Sequence, residues 1–234
     1  ADLVDICSLS AIELARLIRG GALSARDVVG ASLARIEAIN PAVNAIVTVA
    51  ADQAMAAARA ADECFARSGP TGPLHGLPIA HKDLQPTAGI RTTFGSPVFH
   101  DHVPSADSPL VARLRSAGAI TIGKTNTPEF GAGSQTFNPI FGPTLNPYDM
   151  TKTCGGSSGG AAVALACRML PLADGTDMGG SLRNPAAFSG IVGFRPTPGL
   201  VANERRGLGW NNLSVAGPMA RTVPELPTAS SQPR

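Results

Sequence analysis

The chain has 234 residues, enough for one large domain or two small ones with a buried core. Its formal charge of +2, from 19 basic and 17 acidic residues, gives no electrostatic reason to expect binding to nucleic acid or to an anionic membrane. Aromatic residues are only 4%, too few for extensive base stacking. With 26 glycines and 20 prolines in a chain that is 44% hydrophobic, the composition indicates an enzyme with many shaped loops.

The cysteines of this chain form no CxxC pair, so we expect free thiols in a reducing compartment. Residues 1–10 have neither the basic nor the apolar segment of a signal peptide. No run reaches the roughly 18 apolar residues of a membrane helix. We therefore predict a cytoplasmic protein that does not bind a membrane. The cysteines are Cys7, Cys64, Cys154 and Cys167.

Three helices are predicted in the first 67 residues. The first follows a capping box at Ser10, and the second begins near Ser24. The second is predicted to end at Asn40-Pro41, because a residue that precedes proline disfavours the helical conformation. An alanine-rich third helix covers residues 51–66. Since no catalytic constellation is found in residues 1–67, we predict that they form a helical layer.

Strands and helices alternate after the Gly/Pro-rich loop at residues 68–73, which predicts an α/β sheet with parallel strand pairs. Ligands of such sheets lie beyond the carboxyl ends of the strands. Lys82, Lys124 and Asp177 follow predicted strands and are therefore expected at that edge. Residues 224–234 have three prolines and no periodicity, so we predict a disordered tail. The predicted strands are 77–80, 119–123 and 170–173, and the predicted helices are 109–115 and 160–167.

Two glycine–serine loops stand out, at residues 154–160 and 175–183, and each leads into a predicted helix. Glycines let the backbone turn sharply, so that several N–H groups converge on one point. At the start of a helix such groups can bind an oxyanion. A serine in such a loop can therefore be a nucleophile with its oxyanion hole beside it.

A serine hydroxyl needs a base before it can attack. His81 and Lys82 end the strand predicted before the first loop, and adjacent side chains of a strand point to opposite faces. Only one of the two can therefore face the site. A buried lysine can serve as the base if desolvation and its neighbours lower its pKa toward neutrality.

These motifs resemble those of the amidase signature family over residues 11–223. The resemblance is carried by His75-Gly76-Leu77-Pro78 with Lys82-Asp83, by Gly123-Lys124-Thr125-Asn126, and by the two loops through Ala186. It implies a mixed, twisted β-sheet with α-helices on both faces. Family members are longer, so the resemblance also implies that residues 68–223 are a truncated core with an incomplete sheet.

The resemblance implies a Ser-Ser-Lys triad. Ser181 attacks the amide carbonyl. Ser157, which follows a cis peptide bond in the family, relays the proton, and neutral Lys82 accepts it. The oxyanion hole consists of backbone N–H groups, and three further residues support the loops. Met178 stands where Ile or Thr is more usual, which changes the shape of the pocket more than the chemistry. The oxyanion-hole residues are Met178, Gly179, Gly180 and Ser181, and the supporting residues are Ser158, Asp177 and Arg183.

Two alternative assignments concern the proton relay. Ser158 is the alternative to Ser157, but the spacing favours Ser157. Lys124 is the alternative base, but its motif has no paired serine loop. The sequence His100-Asp101-His102 lacks further ligands for a metal, so we predict a surface loop there. We expect neither a metal nor a cofactor.

The predicted function is hydrolysis of a small-molecule amide to an acid and ammonia or an amine, through an acyl-enzyme. One alternative is the amidase component of an amidotransferase, which releases ammonia from glutamine for a partner. The other is an inactive truncated fragment. Because an incomplete sheet would expose an apolar edge, we expect a homo-oligomer or binding to a partner subunit, with low stability or weak activity of the chain alone.

Overall fold

A computed structural model of the chain describes residues 5–201 and 212–226. Helix α1 (Ala11–Arg19) begins with the predicted capping box, in which Ser10 and Glu13 exchange hydrogen bonds. Helix α2 (Ala25–Val43) begins after Ser24, also with a capping box.

The predicted end of α2 at Asn40-Pro41 is wrong, because Pro41 lies inside the helix, which continues to Val43 and is capped by Asn44. The Asn40 side chain accepts hydrogen bonds from the N–H groups of Ala45 at 2.9 Å and Ile46 at 2.8 Å. These bonds stabilise the exit of the chain from the helix. They outweigh the preference of a residue before proline for an extended conformation.

The remaining elements alternate much as the sequence predicts. Helix α3 (Ala51–Ser68) covers the alanine-rich segment, and helix α4 begins after the cap of Ser108. Short 3-10 helices lie at Ile6–Ser8, Pro97–Phe99, Glu129–Gly131 and Val223–Glu225. The other helices are α4 (Pro109–Ser116), α5 (Gly159–Ala166) and α6 (Arg183–Ser189). The strands are β1 (Ile46–Val49), β2 (Pro78–Lys82), β3 (Ile120–Thr125), β4 (Phe137–Asn138), β5 (Gly142–Pro143), β6 (Leu172–Asp177), β7 (Val192–Gly193) and β8 (Val215–Ala220).

The main sheet has the strand order β1-β3-β2-β6-β8-β7. Its centre, β3-β2-β6, is parallel, and the outer strands β1, β8 and β7 pair antiparallel to their neighbours. The predicted mixed α/β sheet is confirmed. Strand β6 begins two residues later than predicted and continues to Asp177, because its whole length pairs with β8. Strand β8 was not predicted, since Gly217-Pro218 in its middle is more typical of a turn.

Helices cover both faces of this sheet. One apolar cluster joins α2, α3 and α5 to Ala80 of β2, and the other joins α1 and α4 to Ile79 of the same strand. Side chains of a strand alternate between faces, so Lys82 lies on the face of Ala80 and His81 on the face of Ile79. In the described ranges, no helix is long and apolar enough to cross a membrane.

The division of the chain between residues 67 and 68 stays a prediction, and β1 of the first part pairs with β3 of the second. The predicted disordered tail, residues 224–234, lies outside the described residues from 227 onward, but the prediction is wrong for its first residues, since Pro224 and Glu225 belong to the 3-10 helix Val223–Glu225. The buried Glu225 carboxylate accepts the Ala11 N–H at 2.8 Å. This bond ties the start of α1 to the 3-10 helix after β8.

Candidate active site

Lys82 ends β2 with a fully buried side chain. Its Nζ lies 2.6 Å from Ser157 Oγ, 3.0 Å from Ser158 Oγ and 2.9 Å from Thr176 Oγ1. Among the described residues no carboxylate lies within ion-pair distance of this amine. Three hydroxyl groups from two loops therefore surround it.

The first glycine–serine loop leads into α5 and packs so closely against its neighbours that several of its glycine positions have no room for a Cβ atom. The Gly156–Ser157 peptide bond is cis. A Cβ atom at Gly156 would lie 2.8 Å from the main-chain carbon of Gln135, and one at Gly160 would overlap the main-chain nitrogen of Asn126. The glycines thus let the loop pack against its neighbours, and Ser157 is only 1% exposed beside Lys82.

The two serines of this loop have different hydrogen-bond partners. The Ser158 hydroxyl accepts the Thr176 N–H at 3.2 Å and donates to the Thr176 carbonyl oxygen at 3.3 Å. Its proton is therefore directed toward the main chain of β6. The Ser157 hydroxyl has only the Lys82 amine as a partner within the described part of the chain.

The second loop is organised around the buried carboxylate of Asp177. This carboxylate accepts the N–H groups of Gly180 at 2.9 Å and Leu182 at 3.1 Å, and Arg183 and Arg195 donate to it at 3.0 Å. Burial alone would raise the pKa of Asp177, but the hydrogen bonds from Arg183 and the loop outweigh it and lower the pKa to about 2. A permanently charged Asp177 therefore fixes the loop.

Ser181 is partly exposed at the turn of this loop. Its carbonyl oxygen accepts the Ser158 N–H at 3.2 Å, which joins the two loops. The Ser181 hydroxyl makes no hydrogen bond to any residue that the structure describes. The N–H groups of Met178, Gly179 and Ser181 also have no acceptor there, whereas the Gly180 N–H is bound to Asp177.

Burial lowers the pKa of Lys82 to about 7, although the negative charges of Asp174 and Asp177 oppose this effect. Burial also lowers the pKa of Lys124 to about 8. The Lys124 amine, however, donates to the carbonyl of Gln85 and, at 2.8 Å, to Thr87 Oγ1. The structure thus brings Lys82 to the serines and directs Lys124 into the loop after β2.

A cavity of about 290 Å³ adjoins Thr176. It lies between the loop after β2, the start of α4 and β8, and its walls are mainly apolar. The lining residues include Leu84, Phe94, Pro109, Leu110 and Ala216, with the polar groups of Gln85, Ser108 and Ser214.

Neither the predicted surface loop at His100-Asp101-His102 nor Cys154, which precedes the first glycine–serine loop, has catalytic surroundings. His100 pairs with Asp101 at the surface, at 2.7 Å, and no group of three or more metal-binding side chains is present in residues 5–201 and 212–226. Cys154 is buried, and burial raises the pKa of its thiol to about 11. All four cysteines are unpaired.

Sequence reasoning missed two residues of this site. Thr176 lies within the second loop, where its position between Gly175 and Asp177 could have drawn attention to its hydroxyl. Arg195 lies outside both loops and carries no local signal, since only the fold brings it to Asp177.

Known proteins match this chain in both sequence and structure. One is a component of the glutamyl-tRNA(Gln) amidotransferase of Acidothermus cellulolyticus, which is 47% identical over 219 residues, or 94% of this chain and 43% of that protein. A solved structure of fatty acid amide hydrolase superposes with a TM-score of 0.90 at 31% identity, over 96% of this chain and 40% of the other. A bacterial aryl acylamidase of the amidase signature family gives a TM-score of 0.90 at 34% identity, over 95% and 46%.

The chain spans less than half the length of the curated relatives that it matches. The model of the family described as Amidase matches residues 27–231, most of the sequence. With the two glycine–serine loops and the buried lysine in place, the chain belongs to the amidase signature family.

Proposed function

We propose that the protein hydrolyses the C–N bond of a small carboxylic amide through an acyl-enzyme on Ser181. The observation that carries this proposal is the 2.6 Å contact between the Lys82 amine and the Ser157 hydroxyl, beside the loop that presents Ser181. A base with a pKa of about 7 is well matched to proton transfer at neutral pH.

Neutral Lys82 has two N–H donors and one lone pair. Its N–H groups donate to Ser158 and Thr176, so the lone pair is left for the Ser157 proton. Because the Ser158 proton is directed to the Thr176 carbonyl, Ser157 is the serine that can transfer its proton to the lysine. The hydrogen bonds therefore support Ser157 as the relay.

In the proposed reaction, Ser181 Oγ forms a bond to the carbonyl carbon of the amide. The Ser181 proton passes to Ser157 as the Ser157 proton passes to Lys82. The carbonyl π bond opens, and the resulting oxyanion accepts hydrogen bonds from the N–H groups of Met178, Gly179 and Ser181. The Gly180 N–H, predicted as a further donor, stays bonded to the Asp177 carboxylate and takes no part in this oxyanion hole.

Collapse of this intermediate breaks the C–N bond. The Lys82 ammonium returns its proton through Ser157 to the departing nitrogen, which leaves as ammonia or an amine. Water then attacks the Ser181 ester by the same relay, which releases the acid and restores both serines. No metal or cofactor takes part in this proposal, and Asp177 and Arg183 hold the oxyanion loop.

A small, uncharged acyl group suits the cavity beside Thr176, because its walls are mainly apolar. The four unpaired cysteines support a reducing, cytoplasmic setting. The small net charge supports neither nucleic acid nor a membrane as a partner.

A second candidate is the amidase component of an amidotransferase, which would release ammonia from glutamine for a partner subunit. The 47% identity to a component of a glutamyl-tRNA(Gln) amidotransferase supports this candidate. Both candidates use the same relay and differ in the substrate and in the need for a partner.

The test is release of ammonia or arylamine from an aliphatic amide, an aryl amide and glutamine by the purified chain, with Ser181→Ala as the control. Turnover of a simple amide that Ser181→Ala abolishes supports the hydrolase. Turnover of glutamine that requires added partner subunits supports the second candidate. No turnover of any of the three, with or without partners, would contradict both and favour an inert fragment.

A further inference from the structure

A row of buried polar side chains crosses the three parallel strands behind the lysine. His81 Nδ1 of β2 lies 2.5 Å from Asp174 Oδ2 of β6, and His81 Nε2 lies 3.1 Å from Thr121 Oγ1 of β3. All three residues are buried, and the His81 side chain is fully so. The proposed reaction does not use any of them.

This row is bonded directly to the main chain at Lys82. Asp174 Oδ1 accepts the Lys82 N–H at 3.0 Å, so one carboxylate holds both the imidazole and the backbone that carries the base. The Lys82 side chain leaves the strand on the opposite face, toward Ser157. Asp174 is buried and is not among the residues that line the cavity beside Thr176.

The negative charge of Asp174 is less compensated than that of Asp177. Two arginines donate to Asp177, whereas the side-chain partner of Asp174 is the His81 imidazole. With the Nδ1 proton directed at Asp174 and the Thr121 hydroxyl donating to Nε2, every polar atom of His81 is satisfied in the neutral form.

Few other charges face this pair. Lys124 on β3 is one, and Lys124 interacts in turn with the Asp107–Arg115 ion pair at α4, whose atoms lie 3.3 Å apart. Asp83 lies in the loop after β2 and binds Thr93. Strand β8, on the other side of β6, carries no titratable side chain.

We propose that Asp174, oriented by His81, is a positioning residue for Lys82: it fixes the end of β2, and its charge raises the pH at which the Lys82 amine loses its proton. This inference rests on the proposed function, because it assigns Asp174 a role only through the base. It predicts that the pair changes the pH dependence of the reaction as well as the stability of the fold. The direction agrees with the electrostatic effect of Asp174 on Lys82. The charge of Asp174 raises the pKa of Lys82, whereas burial lowers it.

Asp174→Asn removes the negative charge of the side chain and keeps its shape. The asparagine oxygen can still accept the Lys82 N–H, and its NH₂ group can donate to His81 Nδ1. The imidazole proton then moves to Nε2 and is donated to Thr121 Oγ1. All the hydrogen bonds of the row can persist, and only the negative charge is removed.

The experiment measures the labelling rate of Ser181 by a short-chain alkyl fluorophosphonate as a function of pH. Loss of a buried negative charge that is hydrogen-bonded to the main chain of Lys82 favours the neutral amine, so the midpoint of the acid limb in Asp174→Asn should fall by about one pH unit. Well below the original midpoint, the rate relative to its plateau should then rise about tenfold. Thr121→Val, which removes a hydrogen bond and no charge, should keep the original midpoint.

A folded Asp174→Asn variant with an unchanged midpoint would overturn the inference and leave the proposed function intact. If this variant does not fold, the His81→Leu/Asp174→Leu variant can be used, because it replaces the pair by apolar side chains. It should show the same decrease in the midpoint of the acid limb. Failure of both variants to fold would assign the pair to the core alone. If the unsubstituted chain is not labelled at Ser181 at any pH, the proposed function itself is wrong.

Discussion

The Lys82 amine and the Ser157 hydroxyl lie 2.6 Å apart, and both side chains are buried. The base ends β2, and the serine belongs to the loop that enters α5. His81, the neighbouring histidine, points to the other face of the sheet and binds Asp174. The Ser157 hydroxyl and the Lys82 amine therefore lie on one side of β2, and His81 lies on the other.

Replacement of Lys82 by methionine should lower kcat/KM by about 10²- to 10⁴-fold, since it removes the base and keeps a side chain of similar length. Activity should recover in part at high pH, where hydroxide can replace the base. Lys124→Met is the matched control, because it removes the other buried amine, which is not bonded to a serine. An equal loss of the amide-hydrolysis rate at saturating substrate in both variants would contradict the assignment of Lys82.

The pH dependence of kcat/KM should follow the deprotonation of Lys82. Only the neutral amine can accept a proton, so activity should rise as pH increases through about 7 and then level off. A profile measured from pH 5 to 9 tests this. A rate that is already maximal at pH 5 would contradict a lysine base.

The stability of the fold should also depend on this lysine. Its pKa is about 7 in the folded protein and about 10.4 in an unfolded chain. Between these values the unfolded state binds more protons, so the free energy of unfolding should increase as pH rises from 7 to 10. Urea unfolding at several pH values measures the slope, and Lys82→Met should reduce it. The part that remains comes from Lys124, whose pKa is about 8.

The two serines of the first loop should respond differently to removal of the hydroxyl. Ser157→Ala should abolish the relay and lower kcat by about 10²-fold or more. Ser158→Ala removes an acceptor of the lysine and of the Thr176 N–H, so its main effect should be a loss of about 1–3 kcal/mol in stability. Thermal unfolding and turnover of both variants test this assignment. A larger loss of kcat in Ser158→Ala than in Ser157→Ala would identify Ser158 as the relay.

Asp177→Asn should loosen the second loop. The substitution weakens the bonds from Arg183 and Arg195 and should cost about 1–3 kcal/mol, together with a fall in kcat. Because the folded pKa of Asp177 is lowered to about 2, the stability that its charge supplies is present above about pH 4 and lost as pH falls toward 2. The free energy of unfolding of Asp177→Asn should therefore decrease less steeply with falling pH than that of the unsubstituted protein. Arg183→Gln should cost less, since this arginine is half-exposed and Arg195 remains.

Close packing of α5 should make Gly160 intolerant of any side chain. Gly160→Ala places a methyl group against the main-chain nitrogen of Asn126, which should destabilise the fold by about 1–3 kcal/mol. Gly30→Ala is the matched control within α2, where a Cβ meets no atom within 4 Å. This control should be neutral or stabilising by up to about 1 kcal/mol. Equal melting temperatures of the two variants would contradict the packing.

Local signals predicted the local structure well. The capping boxes at Ser10 and Ser24 begin helices as predicted, because they satisfy the free N–H groups of the first turn. The same kind of rule was wrong for Pro41, where the Asn40 side chain reaches Ala45 and Ile46 and offsets the local preference. The loops around Ser157 and Ser181 were recognisable because the packing there requires glycine.

Features that depend on strand pairing could not be predicted. Strand β8 contains Gly217-Pro218 and becomes a strand by pairing along β6. The bond between His81 and Asp174 depends on the adjacent, parallel placement of β2 and β6, which no local pattern specifies. Arg195 follows β7 and reaches Asp177 of β6 because β8 pairs with both of these strands.

The most direct test of the central claim is covalent labelling of the intact chain with an alkyl fluorophosphonate, followed by mass mapping of the modified peptide. We expect one modification, on Ser181. Labelling should be absent in Ser181→Ala and strongly slowed at neutral pH in Ser157→Ala and Lys82→Met. Modification of a different residue, or labelling that persists in Ser181→Ala, would contradict Ser181 as the nucleophile.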